Sequence, residues 1–374
     1  MSKMTVKRIK IFCFSGTGNS RNVSHWLKES AETRNLEASI KELPIDRSEL
    51  PDIKPEDTII ITSPVHGFNY PPLVIGFLIR FPKGNNNVIL MNTRAGMKIG
   101  KWITPGLSGI TFYLAAIILM VKGYNIKGMI PVDMPSNWIS VHPGLNSNTI
   151  NYLHEQNYKR VIATTNRVLS GKTCFIALRE IVQDLLIAPI AFAYYFIGRF
   201  IIAKTYYTSS KCNDCGLCLK MCPAKAIKQI NQRPFWTMKC ESCMRCMSNC
   251  PQKSIETAHG FIALIIFAYS AVITKLLYPF LKTTLLFASP IINMIFESLV
   301  FIVLITIGYR IFHLLLRFRP FEKLMLLTSL TWYRFWGRRY KAIKNFGQKW
   351  SSLELIPFDR KFWYLKSNYI FFNH

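Results

Sequence analysis

Ile9-Lys10-Ile11-Phe12-Cys13-Phe14-Ser15-Gly16-Thr17-Gly18-Asn19-Ser20 runs from a stretch of strand formers into a small-residue loop, and Val23, Trp26, Leu27 and Ala31 then follow at helical spacing. Strand, loop and helix in that order gather backbone N–H groups and hydroxyls at the N-terminus of a helix, where its partial positive charge favours a phosphate. The loop lacks the lysine of a nucleoside-triphosphate loop and the G-x-G-x-x-G spacing of a dinucleotide loop, so neither of those ligands is favoured. Working outward, residues 37–43, 58–62, 88–92 and 125–132 read as further strands, and 73–81 and about 110–122 as helices. Five strands alternating with helices predict an α/β doubly wound parallel sheet, with its ligand outside the carboxyl ends of the strands. Three segments are expected there: 15–20, 63–70 and 93–96.

Eight of the ten cysteines repeat one spacing, Cys212-x2-Cys215-x2-Cys218-x3-Cys222-Pro223 and Cys240-x2-Cys243-x2-Cys246-x3-Cys250-Pro251. Thiolates two residues apart wrap a small cluster from a tight loop, while the fourth, before a proline, turns toward a second cluster. Two [4Fe-4S] clusters are expected. In two-cluster ferredoxins the fourth cysteine of each run ligates the other run's iron, which assigns Cys212, Cys215, Cys218 and Cys250 to cluster one. Cys240, Cys243, Cys246 and Cys222 then hold cluster two. Zinc pairs two such steps across a longer gap rather than running three cysteines together. So many close thiols, without a cleavable signal pattern, point to a reducing compartment rather than to disulfides. Cys13 and Cys174 lie apart from both runs and read as buried thiols.

The Ser-Gly-Thr-Gly-Asn-Ser loop, taken with the two later loops, resembles flavodoxin, and the resemblance implies FMN. It would place the FMN phosphate at Ser15, Gly16, Thr17, Gly18, Asn19 and Ser20. Pro64, His66, Gly67, Phe68 and Tyr70 would flank the flavin ring on one side, and Thr93, Arg94, Ala95 and Gly96 on the other. Phe68 or Tyr70 would stack on the ring, with ordinary loop packing before Pro71-Pro72 as the alternative, while His66 stands where many flavodoxins carry a tyrosine. A flavodoxin-like segment ahead of a bacterial-type two-cluster ferredoxin is similar to a fusion family of anaerobic bacteria. Asp133-Met134-Pro135-Ser136-Asn137-Trp138 looks like a recurring element of that family, with Asn137 and Trp138 either covering the flavin or forming a buried capping loop. The likeness covers roughly residues 5–260.

The remaining chain is apolar and then basic. The sequence has 374 residues, half of them hydrophobic, with 47 Lys+Arg against 20 Asp+Glu. Residues 261–274 carry no charge, Lys275 interrupts the stretch before 276–281, and 283–309 holds only Glu297. Each stretch approaches the ~20 residues of a membrane span by admitting one ionisable group. A two-helix hairpin turning near Lys282 is expected, with both ends on the cytoplasmic side because Lys239, Arg245 and Lys253 flank one end and Arg310, Arg317, Arg319 and Lys323 the other. Residues 185–198, with Pro189 inside, suit a buried or interfacial helix better than a span. From Arg317 to Lys366 twelve Lys/Arg alternate with Trp332, Tyr333, Phe335, Trp336, Tyr340, Trp350 and Trp363. That mixture fits an anionic lipid surface or single-stranded nucleic acid, and its place after an apolar stretch favours lipid, so no nucleic acid is expected.

These readings divide the chain into a flavodoxin-like FMN domain at 5–170, an apolar connecting helix at 171–204, and a small α+β two-[4Fe-4S] ferredoxin domain at 205–260. An apolar helical hairpin at 261–316 and a basic aromatic tail at 317–374 complete it. No paired metal spacing appears among the histidines, and no NAD(P) fingerprint is present. An electron carrier working with a redox partner protein is the leading expectation. An FMN-dependent oxidoreductase acting on a small or lipid-like substrate, and a membrane-bound redox sensor, are the alternatives.

Overall fold

The computed structural model describes residues 8–44, 53–99, 102–272, 275 and 289–336. Its N-terminal part is built on one sheet. Strands β1 (Arg8–Cys13), β2 (Glu37–Glu42), β3 (Asp57–Pro64), β4 (Asn87–Ile99) and β6 (Asn125–Pro135) lie in the order β2-β1-β3-β4-β6, and neighbours are parallel. This is the flavodoxin-like order, which puts a switch point between β1 and β3. Two short strands extend the expected five. β5 (Trp102–Thr104) pairs antiparallel with the end of β4, and β7 (Cys174–Phe175) adds to the β6 edge.

Period-two side chains feed two cores. Ile59 and Ile61 join Phe12, Phe14, Leu90 and Phe112 under α2 (Pro72–Arg80) and α3 (Thr111–Val121). Ile60 points the other way, with Ile9, Ile11, Ile89 and Ile130, toward α1 (Asn19–Glu32) and α4 (Ser147–Leu169). Val23, Trp26, Leu27 and Ala31, all buried, are the stripe that seats α1. Burying a side chain of that size stabilises by roughly 1.5–3 kcal/mol.

Two differences from the sequence expectation bear on the site. Residues 93–96 are not a free loop: β4 continues through them, and Thr93, Arg94, Ala95 and Gly96 pair with Val132, Asp133, Met134 and Pro135. The helix α4 had no counterpart in the sequence reading, because its buried face alternates Leu153 and Val161 with Asn157 and Thr165 and so breaks the apolar period. Asn146 caps it by accepting from the Thr149 N–H at 2.8 Å.

From Ile176 the chain is helical to Ala203: a 3₁₀ turn, α5 (Ile181–Ala193) with Pro189 inside, a π turn at Tyr194–Gly198, and α6 (Arg199–Ala203). This run lies within the connecting segment expected at 171–204 and extends beyond the uncharged stretch 185–198 at both ends. Only part of it touches protein, and Val182, Leu185, Leu186, Ile190 and Phe196 are exposed. The next unit pairs β8 (Tyr206–Thr208) with β11 (Ile255–Thr257) and β9 (Ile227–Ile230) with β10 (Arg233–Trp236), and carries the short helices α7 (Leu217–Lys220) and α8 (Arg245–Asn249).

Helices α9 (His259–Val272), α10 (Pro290–Leu315) and α11 (Arg319–Leu327) follow. α9 and α10 meet through Phe261 and Phe312, whose rings lie 4.7 Å apart, and Tyr309 donates to the Tyr206 carbonyl at 2.6 Å. Glu322 on α11 accepts from Arg233 at 2.8 Å. Ile176–Ala203 and Ile292–Leu315 are long and apolar enough to cross a membrane, by length and composition. The turn expected near Lys282 lies outside the described residues, as does the tail beyond Trp336.

Candidate functional site

The eight cysteines of the two runs fall into two groups of four. Cys222, Cys240, Cys243 and Cys246 line one cavity, together with Tyr206, Trp236 and Met244. Cys212, Cys215, Cys218 and Cys250 line a second. Each group takes three thiols from one run and the fourth from the other. Cys246 borders both cavities, so the two lie side by side. Among the described residues no three His, Cys, Asp or Glu side chains close on a single ion. Four thiols spread around a cavity suit a polynuclear cluster better than the tight tetrahedron of zinc.

The chain supplies what such a group needs. Backbone N–H groups of Ala226, Ser242 and Ser254 donate to the sulfurs of Cys222, Cys240 and Cys250 at 3.3, 3.4 and 3.4 Å. Left-handed turns at Asp214, Gly216, Ser242 and Met244 bend both loops tightly enough to present their thiols inward. Burial in a dry cavity, which disfavours the thiolate, pushes Cys218 and Cys243 up to about 11, and neighbouring thiolates add a smaller repulsion. Bound iron reverses that balance, because a coordinated thiol is deprotonated. The cavities differ in exposure: Cys240 is buried, whereas Cys215 is exposed at the surface.

The loop from Cys240 to Arg245 is pressed onto the carboxyl ends of the large sheet. A Cβ on Gly16 would overlap the carbonyl oxygen of Cys243. The Arg245 guanidinium donates to the Ser15 carbonyl, and the ring of His66 meets the Glu241 carbonyl at 3.1 Å. Trp138 Nε1 donates to the Ser242 carbonyl at 3.0 Å, and the Leu73 N–H to the Glu241 carboxyl at 3.2 Å. Burial lowers His66 to about 4, so it is a neutral ring at physiological pH.

The loop at 15–20 is closed on itself and on its neighbours. Gly18 sits at φ 111°, and its N–H donates to Ser15 Oγ at 3.2 Å. Ser20 and Thr93 share a hydroxyl hydrogen bond of 2.8 Å, Asn19 donates to the Pro135 carbonyl at 2.8 Å, and Asn137 donates to Thr17. The loop is buried at Ser15, Thr17 and Ser20, and the Arg245 Nε beside it has no hydrogen-bond partner. Hydroxyls, a helix start and a guanidinium with an unused donor fit a phosphate monoester.

Other expected positions are committed elsewhere. Tyr70 is buried in the sheet core with its hydroxyl on Asn92 at 2.6 Å, which removes it from ring stacking; Phe68, at φ 67°, and Pro64 are half-buried, while Gly67 is covered by the Tyr194 ring. The Arg94 side chain points inward to Asp133, at 2.6 Å, and to Glu180, so only the exposed Ala95 beside it offers surface. Burial alone would raise the Asp133 carboxyl, but Arg94 and Arg160 hold it below its usual range. Trp138, Tyr194, Glu241 and Arg245 were not among the expected site residues except for Trp138 as a cover. Tyr194 packs on Gly67 and lies 5.4 Å from Trp138, whose ring is 5.9 Å from His66.

Comparison with known proteins separates the two halves. Residues 211–255 match the 4Fe-4S dicluster domain family. The dicluster domain therefore holds the eight cysteines of both runs. Solved structures similar to the N-terminal part include a flavodoxin from the domain Archaea, at 12% identity and TM-score 0.27 over 43% of this chain and 99% of that one. General stress protein 14 of Treponema denticola, in complex with FMN, shows 10% identity and TM-score 0.28 over 44% and 98%. The two-electron reduced flavodoxin of Megasphaera elsdenii shows 16% and 0.24 over 40% and 98%. The search of curated proteins found no match.

Proposed function

We propose that the chain is an electron-transfer iron–sulfur flavoprotein in which cluster one, cluster two and FMN stand in series. The observation that carries this reading is the seat of the Cys240–Arg245 loop on Gly16, Ser15 and His66, which puts the cluster-two ligands against the loops that would hold the flavin. Bound there, iron–sulfur clusters would pass electrons singly and FMN would store one or two. The chain sets their order and spacing. Cys246, bordering both cavities, joins the clusters, and Trp138 and Arg245 clamp the inner one to the sheet. Ser15, Gly16, Thr17, Gly18, Asn19 and Ser20 would hold the phosphate, and Phe68 and the backbone at Ala95 would border the ring.

The outer end is the exchange point. Cys215 is exposed, and Lys211, Lys220, Lys225 and Lys228 are exposed around the same unit, which suits an acidic redox partner protein. The membrane reading rests on Ile292–Leu315 and its partner α9, with exposed Leu264, Phe267, Leu299, Val303 and Ile307 facing lipid from the cytoplasmic side. The run Ile176–Ala203 is anchored at Asp184, which accepts from the Gly109 N–H at 2.7 Å and from Tyr113 at 3.1 Å, and this supports reading it as an interfacial helix.

The test is anaerobic purification followed by iron, sulfide and flavin analysis and stopped-flow reduction. About eight irons and one FMN per chain, with clusters and flavin reduced in sequence, are expected. Reduction of the clusters with no electron reaching the flavin would overturn the relay. Recovery in the soluble fraction without carbonate or detergent would overturn the membrane reading.

A further inference from the structure

A phosphate monoester carries about −1.5 to −2 charges at neutral pH, and a helix start offers only about half a positive charge. The buried loop at 15–20 supplies hydroxyls and amides and no cation of its own. Arg21, just after it, is occupied by a two-point pair with Glu42. Arg94 is occupied by Asp133, Ser108 and Glu180. Arg245 is different. It reaches across from the dicluster domain, donates one guanidinium N–H to the Ser15 carbonyl, touches the Met221 carbonyl only at 3.5 Å, and keeps Nε buried without a partner.

We propose that Arg245 is a phosphate-binding residue of the flavin site, so that the site is completed by the cluster-two ligand loop. Arg245 lies between Cys243 and Cys246 in sequence, and its position is fixed by what fixes those thiols. Cys243 also covers Gly16, and Ser242 and Glu241 are bonded to Trp138 and His66. Loss of cluster two frees the loop that carries the countercharge and uncovers the phosphate end. Flavin affinity is therefore coupled to cluster assembly, and by reciprocity FMN favours the ordered ligand loop. The inference rests on the FMN reading above.

The experiment compares FMN with riboflavin, which lacks the phosphate, in anaerobic fluorescence titrations of the full chain stripped of flavin. Arg245→Gln is expected to weaken FMN roughly ten- to a hundredfold and riboflavin by much less, with iron and sulfide measured in parallel so that the comparison is made at equal cluster content. Arg245→Lys keeps the charge and recovers part of the loss. If Arg245→Gln does not fold, the FMN-to-riboflavin ratio of Arg245→Lys against wild type decides instead. An unchanged FMN affinity, or equal weakening of both flavins, overturns the assignment. Anaerobic chelation of the iron is expected to release FMN with the clusters; FMN held at unchanged affinity overturns the coupling. A wild-type chain that binds neither flavin overturns the FMN reading itself, and the role of Arg245 falls with it.

Discussion

Gly16 matters for what it lacks. Its Cα faces the Cys243 carbonyl so closely that any side chain must push the dicluster domain off the sheet. Gly16→Val is therefore expected to leave iron content intact and to slow electron exchange between cluster and flavin by an order of magnitude or more, read by stopped-flow absorbance; an unchanged rate would show that the contact is incidental. His154 makes a second test. It is buried beside Trp26, with ring centroids 6.1 Å apart, and burial lowers it to about 4 from an ordinary 6.5. A lowered histidine contributes stability above about pH 6.5 that is lost as pH falls toward 4, here at most about 3 kcal/mol. His154→Leu is expected to flatten the acid limb of urea-unfolding stability over that window, and an unaltered limb would assign it to other groups.

At the level of elements, much of the sheet was legible because Ile59, Ile60 and Ile61 alternate between two cores and because α1 carries its apolar stripe at helical spacing. The segment from Thr93 to Gly96 was not, since Thr, Arg and Gly read as loop, and pairing with β6 makes it strand, which then continues through Ile99 by pairing with β5. That extension places Arg94 where it joins β4 to Asp133 on β6 and to Glu180 at the head of the apolar helical run. Arg94→Ala would leave Asp133 buried with Arg160 as its remaining ion-pair partner. A loss of about 3 kcal/mol in unfolding free energy is expected, and a loss under 1 kcal/mol would mean that Arg160 compensates. The dicluster domain was legible from the cysteine spacing, yet Trp138 and Arg245 as bridges were not, because a contact between residues more than a hundred positions apart leaves no local pattern.

Across the whole molecule the two cluster cavities are unequal in their surroundings. One is lined by the buried Cys240 with Trp236 and Tyr206, while the other includes the exposed Cys215, near exposed lysines. Cys215→Ser is expected to remove roughly half of the iron and to leave the inner group of four thiols loaded, as read by iron analysis and electron paramagnetic resonance. Loss of all the iron would show that the two sites assemble as one. Transfer to a partner should also fall steeply with ionic strength, since exposed charges are screened within about 8–10 Å at physiological salt.

The exposure of Cys215 also decides how the molecule fails. Dioxygen and peroxides arrive from water, and they meet the outer cavity before anything else. Under the proposed function, brief aeration should strip the outer metal first and leave cluster two and the flavin cut off from the partner. Damage would then sever the connection before it reached the store of electrons, and a protein repaired at its surface would regain its circuit without rebuilding its interior.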